Sequence, residues 1–285
     1  MIDKSILIVA EAAQQRLQEP DWVAVDCRSE LADPDAGRAM YEGGHLPSAV
    51  FLDLDRDLAG PVTRSSGRHP LPAVDDIVRR LEELGIGNAS RIVVYDSNSG
   101  ALAARAWWIL RWLGHEDVKL LDGGLDQWAA LGYPMEKGPV ARQSTRFVPR
   151  VRDEMVLSTA ELETDIEAIP ALRLLDARDE ARFRGAEEPI DPVAGHVPGA
   201  RSLPYAAFVN ADGTWRPLEE RRARLLAALD KEPDRPWSVM CGSGVTACHL
   251  AITGIEAGLP EPRLYVGSWS EWIRDEERPI GLGSA

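Results

Sequence analysis

The chain writes one pattern twice, and this duplication constrains its fold more than any other feature. Trp22-Val23-Ala24-Val25-Asp26-Cys27-Arg28 is an apolar run that ends on a charged turn, and Leu172-Arg173-Leu174-Leu175-Asp176-Ala177-Arg178 reads the same way. Each is followed by a Gly-His-apolar-Pro-small-Ala turn, Gly44-His45-Leu46-Pro47-Ser48-Ala49 and then Gly195-His196-Val197-Pro198-Gly199-Ala200. Short strands are expected next at Val50-Phe51-Leu52 and Arg201-Ser202-Leu203, with helical periodicity at Val74–Leu84 and Leu218–Leu229. A central strand follows in each half, Ile92–Tyr95 and Val239–Met240, and then helices over Ala101–Leu113 and Val245–Ala257. Both halves close on a strand and an aromatic helix, Leu120-Leu121-Asp122-Gly123-Gly124 to Trp128 and Tyr265-Val266-Gly267-Ser268 to Trp272.

Strands that alternate with amphipathic helices imply an α/β fold, here a parallel sheet with helices on both faces in each of two tandem domains. The expected division is 1–140, a linker over 141–154, and 155–285. The stretch around that linker is polar and carries Arg142, Arg146, Arg150 and Arg152, which read as a solvated strap. A length of 285 residues with 45% hydrophobic content suits two cores of ordinary size. No run approaches the ~18 apolar residues of a membrane span. The N-terminus, Met1-Ile2-Asp3-Lys4-Ser5, shows no secretory pattern. Three cysteines, an odd number, argue against a disulfide framework and for a reducing, cytoplasmic setting. A net charge of −14 disfavours nucleic acid and anionic membranes as partners.

Duplication also supplies an internal control, because features present in both copies serve the fold and features of one copy are candidates for function. His45 and His196 recur, as do Asp26 with Arg28 and Asp176 with Arg178, and all are read as structural. The copies diverge at Val239-Met240-Cys241-Gly242-Ser243-Gly244-Val245-Thr246-Ala247, where Cys241 falls between a strand end and a helix start. The first copy has Asp96 there, which offers no nucleophilic thiol, so only the second copy is expected to be catalytic. Backbone N–H groups of a first helical turn lack intrahelical partners and converge on an anion. A thiol so placed is expected to ionise below the ordinary ~8.5. Gly242 and Gly244 allow the close approach and positive φ that such a cradle needs, and Val245 and Thr246 complete it. Cys248, further along the helix, reads as core, and Cys27 gives no functional signal.

The loop Cys-Gly-Ser-Gly-Val-Thr resembles the active-site loop of two-domain rhodaneses of the 3-mercaptopyruvate sulfurtransferase type. Trp107-Trp108, Gly114-His115 and Leu121–Gly124 are similar to that family's first domain, so the resemblance spans nearly the whole chain. It implies two tandem rhodanese-like domains, the first inactive. It also implies a sulfurtransferase that carries sulfane sulfur as a persulfide on Cys241, with no metal or organic cofactor. The implied donor is 3-mercaptopyruvate and the acceptor a thiol, a thioredoxin-like dithiol or cyanide. Asp176-Ala177-Arg178 with Arg182-Phe183-Arg184-Gly185 resembles the segment that supplies a substrate-binding arginine, and Arg182 is the match; its alternative is a salt bridge to Asp179 or Glu187. Phe51–Asp55 and His69-Pro70-Leu71-Pro72 resemble segments that supply an Asp and a His acting with the loop serine, which carries over as Asp55, His69 and Ser243. One departure is the acidic stretch Ala186-Glu187-Glu188-Pro189-Ile190-Asp191, where such proteins often carry a second arginine.

Three alternatives stay open. Thiosulfate could be the donor, although the loop itself carries no cation. A cysteine phosphatase would need an arginine six positions after the cysteine, where Ala247 stands. A non-catalytic sulfur- or partner-binding module is disfavoured by the intact Cys241 loop beside its degenerate copy.

Overall fold

The computed structural model describes residues 5–30, 32–167 and 173–284. Met1–Lys4 and Leu172, which entered the sequence reading, lie outside the described residues. Two compact units form. One comprises the residues up to Gly60 together with Leu71–Arg152 and Val209–Trp215; the other comprises Pro61–Pro70, Asp153–Phe208 and the chain from Arg216 onward.

The first unit is built on five strands, β1 (Leu7–Ile8), β2 (Trp22–Asp26), β3 (Val50–Phe51), β4 (Arg91–Tyr95) and β5 (Val118–Leu121). They form one sheet in the order β1-β5-β4-β2-β3. All pairings are parallel, with Val25 opposite Val94 and Val50 on its two sides. Among the described residues five α-helices accompany it: α1 (Ala10–Arg16), α2 (Ala36–Gly43), α3 (Val74–Glu83), α4 (Ala103–Trp112) and α5 (Gly124–Ala130). Every residue of β2 is buried. Trp22 and Ala24 join Tyr41 of α2 and Trp128 of α5 in one cluster. Val23 and Val25 point away from that cluster yet are 1% and 0% exposed, so a second layer covers the other face. α4, which follows the central strand, buries every residue but Arg111, Arg105 included.

The second unit repeats this plan. Its strands are β6 (Val156–Leu157), β7 (Leu174–Asp176), β8 (Arg201–Ser202), β9 (Ser238–Met240) and β10 (Arg263–Tyr265). They are all parallel and ordered β6-β10-β9-β7-β8. Its helices are α6 (Thr159–Glu167), α7 (Glu180–Arg184), α8 (Leu218–Ala228), α9 (Ala247–Glu256) and α10 (Ser268–Trp272). α9 is buried on all sides from Ala247 to Gly254.

Features shared by the two copies do the same structural work in each. Arg28 holds Asp26 at 2.6 Å and the Gly44 carbonyl at 2.6 Å. Arg178 holds Asp176 at 2.7 Å and the Gly195 carbonyl at 2.7 Å. His45 stacks on Tyr41 at 4.4 Å and His196 on Phe183 at 3.9 Å. The stretch bearing the linker arginines is not free in solvent. Phe147 within it is buried, and the Arg150 and Arg152 N–H groups donate to the Leu113 and Trp112 carbonyls at 2.8 Å each.

Candidate active site

Cys241 follows the last residue of β9, and six residues, Cys241–Thr246, separate that strand from α9. The helix starts at Ala247, two residues later than its apolar periodicity suggests. Gly244 takes a φ of +75°, open to glycine at little cost. Beyond it the N–H groups of Cys248 and His249 reach back three residues to the carbonyls of Val245 and Thr246, a tight turn that delays the regular helix. Cys241 is 2% exposed, Ser243 6% and Val245 5%.

The start of α10 holds this loop from behind. The N–H groups of Trp269 and Ser270 donate to the carbonyls of Cys241 (3.0 Å) and Gly242 (2.9 Å). The Cys241 N–H donates to the Ser268 hydroxyl at 3.1 Å, and that hydroxyl donates to the Tyr265 carbonyl at 2.9 Å. Ser268 adopts a φ of +52°, a conformation that costs a non-glycine residue free energy. Sequence reasoning missed Ser268, although a signal was present. The matching residue of the first copy is Gly124, at a φ of +57°.

Gly242 leaves room for two guanidinium groups beside the loop. A methyl group on it would meet Arg68 Nη2 at 3.0 Å and Arg182 Nη2 at 3.4 Å. Arg182 rises from α7, whose neighbouring residue Phe183 is buried and anchors the helix. Its expected salt-bridge alternatives, Asp179 and Glu187, are replaced by others. Arg182 Nη2 lies 2.8 Å from Glu188 Oε1 and 3.1 Å from Asp191 Oδ2, because the acidic stretch after α7 turns back over the guanidinium. Glu188 also stands 3.5 Å from Arg178 Nη1. The other oxygen of Asp191 pairs with Arg68 Nη1. The loop carries no cation in its own sequence, but two guanidinium groups lie against it. Arg68 carries no signal of its own in the sequence, though it precedes His69 directly.

Residues 61–70 come from the N-terminal half of the sequence and belong to the second unit. The Gly67 and Arg68 N–H groups donate to Glu271 Oε2 (3.3 Å) and Ser270 Oγ (3.0 Å), while Arg274 Nε donates to the Ser66 carbonyl at 3.1 Å. His69, 4% exposed, is thereby placed with Nδ1 at 2.7 Å from Ser243 Oγ. The structure thus brings Cys241, Gly242, Ser243, Gly244, Val245, Thr246, Arg182 and His69 together in one unit. Asp55 lies in the first unit, exposed, in the turn after β3, where its N–H donates to Asp53 Oδ1 at 3.0 Å. Among the described residues no group of three or more His, Cys, Asp or Glu side chains is placed to hold a metal.

A model of the rhodanese-like domain matches residues 9–131 and again 158–275. The chain belongs to the rhodanese-like family. A probable 3-mercaptopyruvate sulfurtransferase of Pseudomonas aeruginosa is 44% identical over 279 residues, covering 97% of this chain and 98% of that one. A putative thiosulfate sulfurtransferase of Mycobacterium tuberculosis, SseB, is 38% identical over 285 residues, covering 98% of each. Among solved structures, the 3-mercaptopyruvate sulfurtransferase-type protein SseA of Escherichia coli superposes with a TM-score of 0.82 at 29% identity. That match covers 94% of this chain and all of the other.

The two rhodanese-like copies differ most instructively at the cradle itself. In the first, the loop Asp96–Leu102 is one residue longer, and the Asp96 side chain folds into it. Asp96 Oδ1 accepts the N–H groups of Asn98 (3.1 Å) and Gly100 (2.9 Å), and Oδ2 those of Leu102 (2.9 Å) and Ala103 (3.2 Å). Burial pushes this carboxyl's pKa up, and the four donors pull it back part of the way. The brace behind it is conserved in form, since the Leu125 and Asp126 N–H groups donate to the carbonyls of Asp96 and Ser97. A carboxylate oxygen sits two bonds beyond Cβ, as does the outer sulfur of a cysteine persulfide. Asp96 therefore displays, within the same chain, the kind of anion that such a loop encloses.

Proposed function

We propose that this protein is a sulfurtransferase that takes sulfane sulfur from 3-mercaptopyruvate onto Cys241 and passes it to a thiol acceptor. The observation that carries the reading is the exchange of Asp96 for Cys241 at equivalent cradles, one enclosing its own carboxylate, the other presenting a thiol. The names of the relatives point the same way. In the first half-reaction the Cys241 thiolate attacks the donor sulfur and forms an S–S bond. The carbon–sulfur bond breaks, and its electron pair moves into the enolate of pyruvate. The donor's thiol proton ends on C3, which gives pyruvate and leaves the persulfide anion on Cys241. Loop N–H groups favour that anion.

Ser243 and His69 are assigned to the proton, on the strength of their hydrogen bond. With His69 Nδ1 unprotonated, the Ser243 hydroxyl donates to it and can take up the donor's thiol proton; with that proton then on His69, the pair can return it through Ser243 to C3 of the forming enolate. Asp55 is assigned to the same step on the family resemblance. Arg182 is assigned to the donor carboxylate, which a planar guanidinium binds through two parallel hydrogen bonds. In the second half-reaction a thiolate of a small thiol or a thioredoxin-like dithiol protein, or cyanide, attacks the outer sulfur and restores Cys241. The chemistry draws on side chains alone. Three free, buried cysteines suit a reducing cytoplasm, and no helix among the described residues is long and apolar enough to cross a membrane.

Thiosulfate is a second reading, favoured by the two guanidinium groups against Gly242. Intact mass after incubation with each donor tests the proposal. One added sulfur on the Cys241 peptide is expected, absent in Cys241→Ser. Label on Cys27 or Cys248 in that variant would refute the assignment. Side-by-side kinetics should give a kcat/KM for mercaptopyruvate at least roughly tenfold above that for thiosulfate, a difference of ~1.4 kcal/mol. Equal turnover of thiosulfate would overturn the donor and leave the persulfide mechanism standing.

A further inference from the structure

The sulfur-transfer scheme leaves the Arg68 guanidinium without a part. We propose that Arg68 recruits the donor's carboxylate together with Arg182, and that Asp191 is the internal carboxylate which the donor displaces. The inference rests on an anionic donor reaching Cys241, as in the scheme above.

Four features converge. First, Arg68 Nη2 and Arg182 Nη2 approach one point, at 3.0 and 3.4 Å from where a methyl on Gly242 would sit, next to the sulfur-bearing residue. Second, Asp191 spans the pair, one oxygen on Arg68 and the other on Arg182 at 3.1 Å. A single carboxylate joining two guanidinium groups is the arrangement a donor carboxylate would reproduce. Third, the side chains of Arg68 and Arg182 are 27% and 15% exposed, while that of Asp191 is 3% exposed. The cations keep a side open to arriving solute and the internal anion lies beneath them. Fourth, like charges crowd here at a cost. Burial and the neighbouring Arg182 lower the pKa of Arg68, and negative charge on Cys241 or Glu188 raises it again. An anion held between the two guanidinium groups, Asp191 or a donor carboxylate in its place, offsets that repulsion.

Arg68 does not depend on its ion pair for its position. Its N–H donates to Ser270 Oγ, and the Ser270 N–H donates to the Gly242 carbonyl, so one residue fixes both the Arg68 backbone and the loop. Truncating the guanidinium should therefore leave the segment seated. Arg68 also supplies the positive charge that the acidic stretch 186–191 lacks, from 123 positions away in sequence.

Alkylation of Cys241 by iodoacetate and by iodoacetamide, read on the Cys241 peptide, separates charge recruitment from loop integrity, because the reagents differ chiefly in charge. In Arg68→Ala the ratio of iodoacetate to iodoacetamide rates should fall about tenfold, the loss expected for one charge-assisted contact. The KM for mercaptopyruvate should rise in proportion with kcat less affected, and Arg68→Lys should recover part of both. Asp191→Asn should raise the ratio several-fold, since the internal competitor is gone; this variant also serves if Arg68→Ala does not fold. An unchanged ratio in Arg68→Ala, equal slowing of both reagents, or a lower ratio in Asp191→Asn would each overturn the proposal. Failure of the wild type to turn over mercaptopyruvate, with the alkylation ratios as expected, would overturn the donor and leave Arg68 its role toward anions.

Discussion

Ser268 sets two requirements against each other, and its variants should separate them. It sits fully buried at a φ of +52°, where an L-residue pays roughly 1–2 kcal/mol in backbone sterics. Its hydroxyl accepts the Cys241 N–H and donates to the Tyr265 carbonyl. Ser268→Ala keeps the strain and loses both bonds, and it leaves a buried N–H without its acceptor. A net hydrogen bond is worth ~0.5–1.5 kcal/mol and an unsatisfied buried donor costs ~1–3, so a loss of ~2–4 kcal/mol is expected. Ser268→Gly suffers the same losses but relaxes the backbone, as Gly124 does in the first copy. It should be more stable than the alanine variant by ~1–2 kcal/mol. Urea unfolding of the second unit's transition in the full chain measures the order. Sulfur transfer should fall in both variants, because the Cys241 backbone loses its anchor in both. An alanine variant as stable as the glycine variant would refute the strain. Wild-type turnover in both would refute the anchoring role.

Asp96→Ala should destabilise the first unit by at least ~2 kcal/mol in urea melts, since four N–H groups lose their acceptor; Asp96→Asn, which points a donor at two of them, should fall between, and silence of both would refute the cradle. His69→Ala should lower kcat for mercaptopyruvate about a hundredfold or more, the scale of a lost proton-transfer group, and wild-type rates across pH 6–9 would remove His69 from the mechanism. Glu161 is held down to about 2, first by the Ser158 hydroxyl, then by the Ser158 N–H and Arg263. Its folded pKa lies below its unfolded value, so its stabilising effect is complete above about pH 4.5 and is lost as pH falls through about 2. Glu161→Gln should flatten that part of the acid stability profile, and an unchanged acid limb would refute the assignment.

The duplicated plan was legible because it rests on local signals. Apolar strands end on Asp-x-Arg, and Gly-His turns recur at matching intervals in both halves. The same duplication singled out Cys241 against Asp96. What was not legible depends on where distant segments meet. Nothing near Arg182 in sequence predicts Arg68, and the acidic stretch that looked like a departure supplies Glu188 and Asp191 as its partners. The late start of α9 was hidden because Val245 continues the apolar periodicity while Gly244 and the tight turn interrupt the backbone. Ser268 was readable only by setting Leu-Asp-Gly-Gly beside Tyr-Val-Gly-Ser and asking why a glycine position holds serine.

Asp96 and Asp191 both put a chain carboxylate where positive groups converge, and the difference between them bears on function. Asp96 accepts four backbone N–H groups that the strand and helix hold fixed, so nothing can replace it without leaving those donors bare. Asp191 pairs with two guanidinium groups on long side chains that retain solvent contact. Those cations can turn toward another anion while Asp191 keeps the remaining edge of either one. With Arg68, Arg178 and Arg182 set against Asp176, Glu188 and Asp191, this cluster carries no net charge. A donor with a single carboxylate therefore gains by exchange of partners. A dianion must also bring its second charge toward an ionised Cys241, and only the loop's N–H groups remain to meet it.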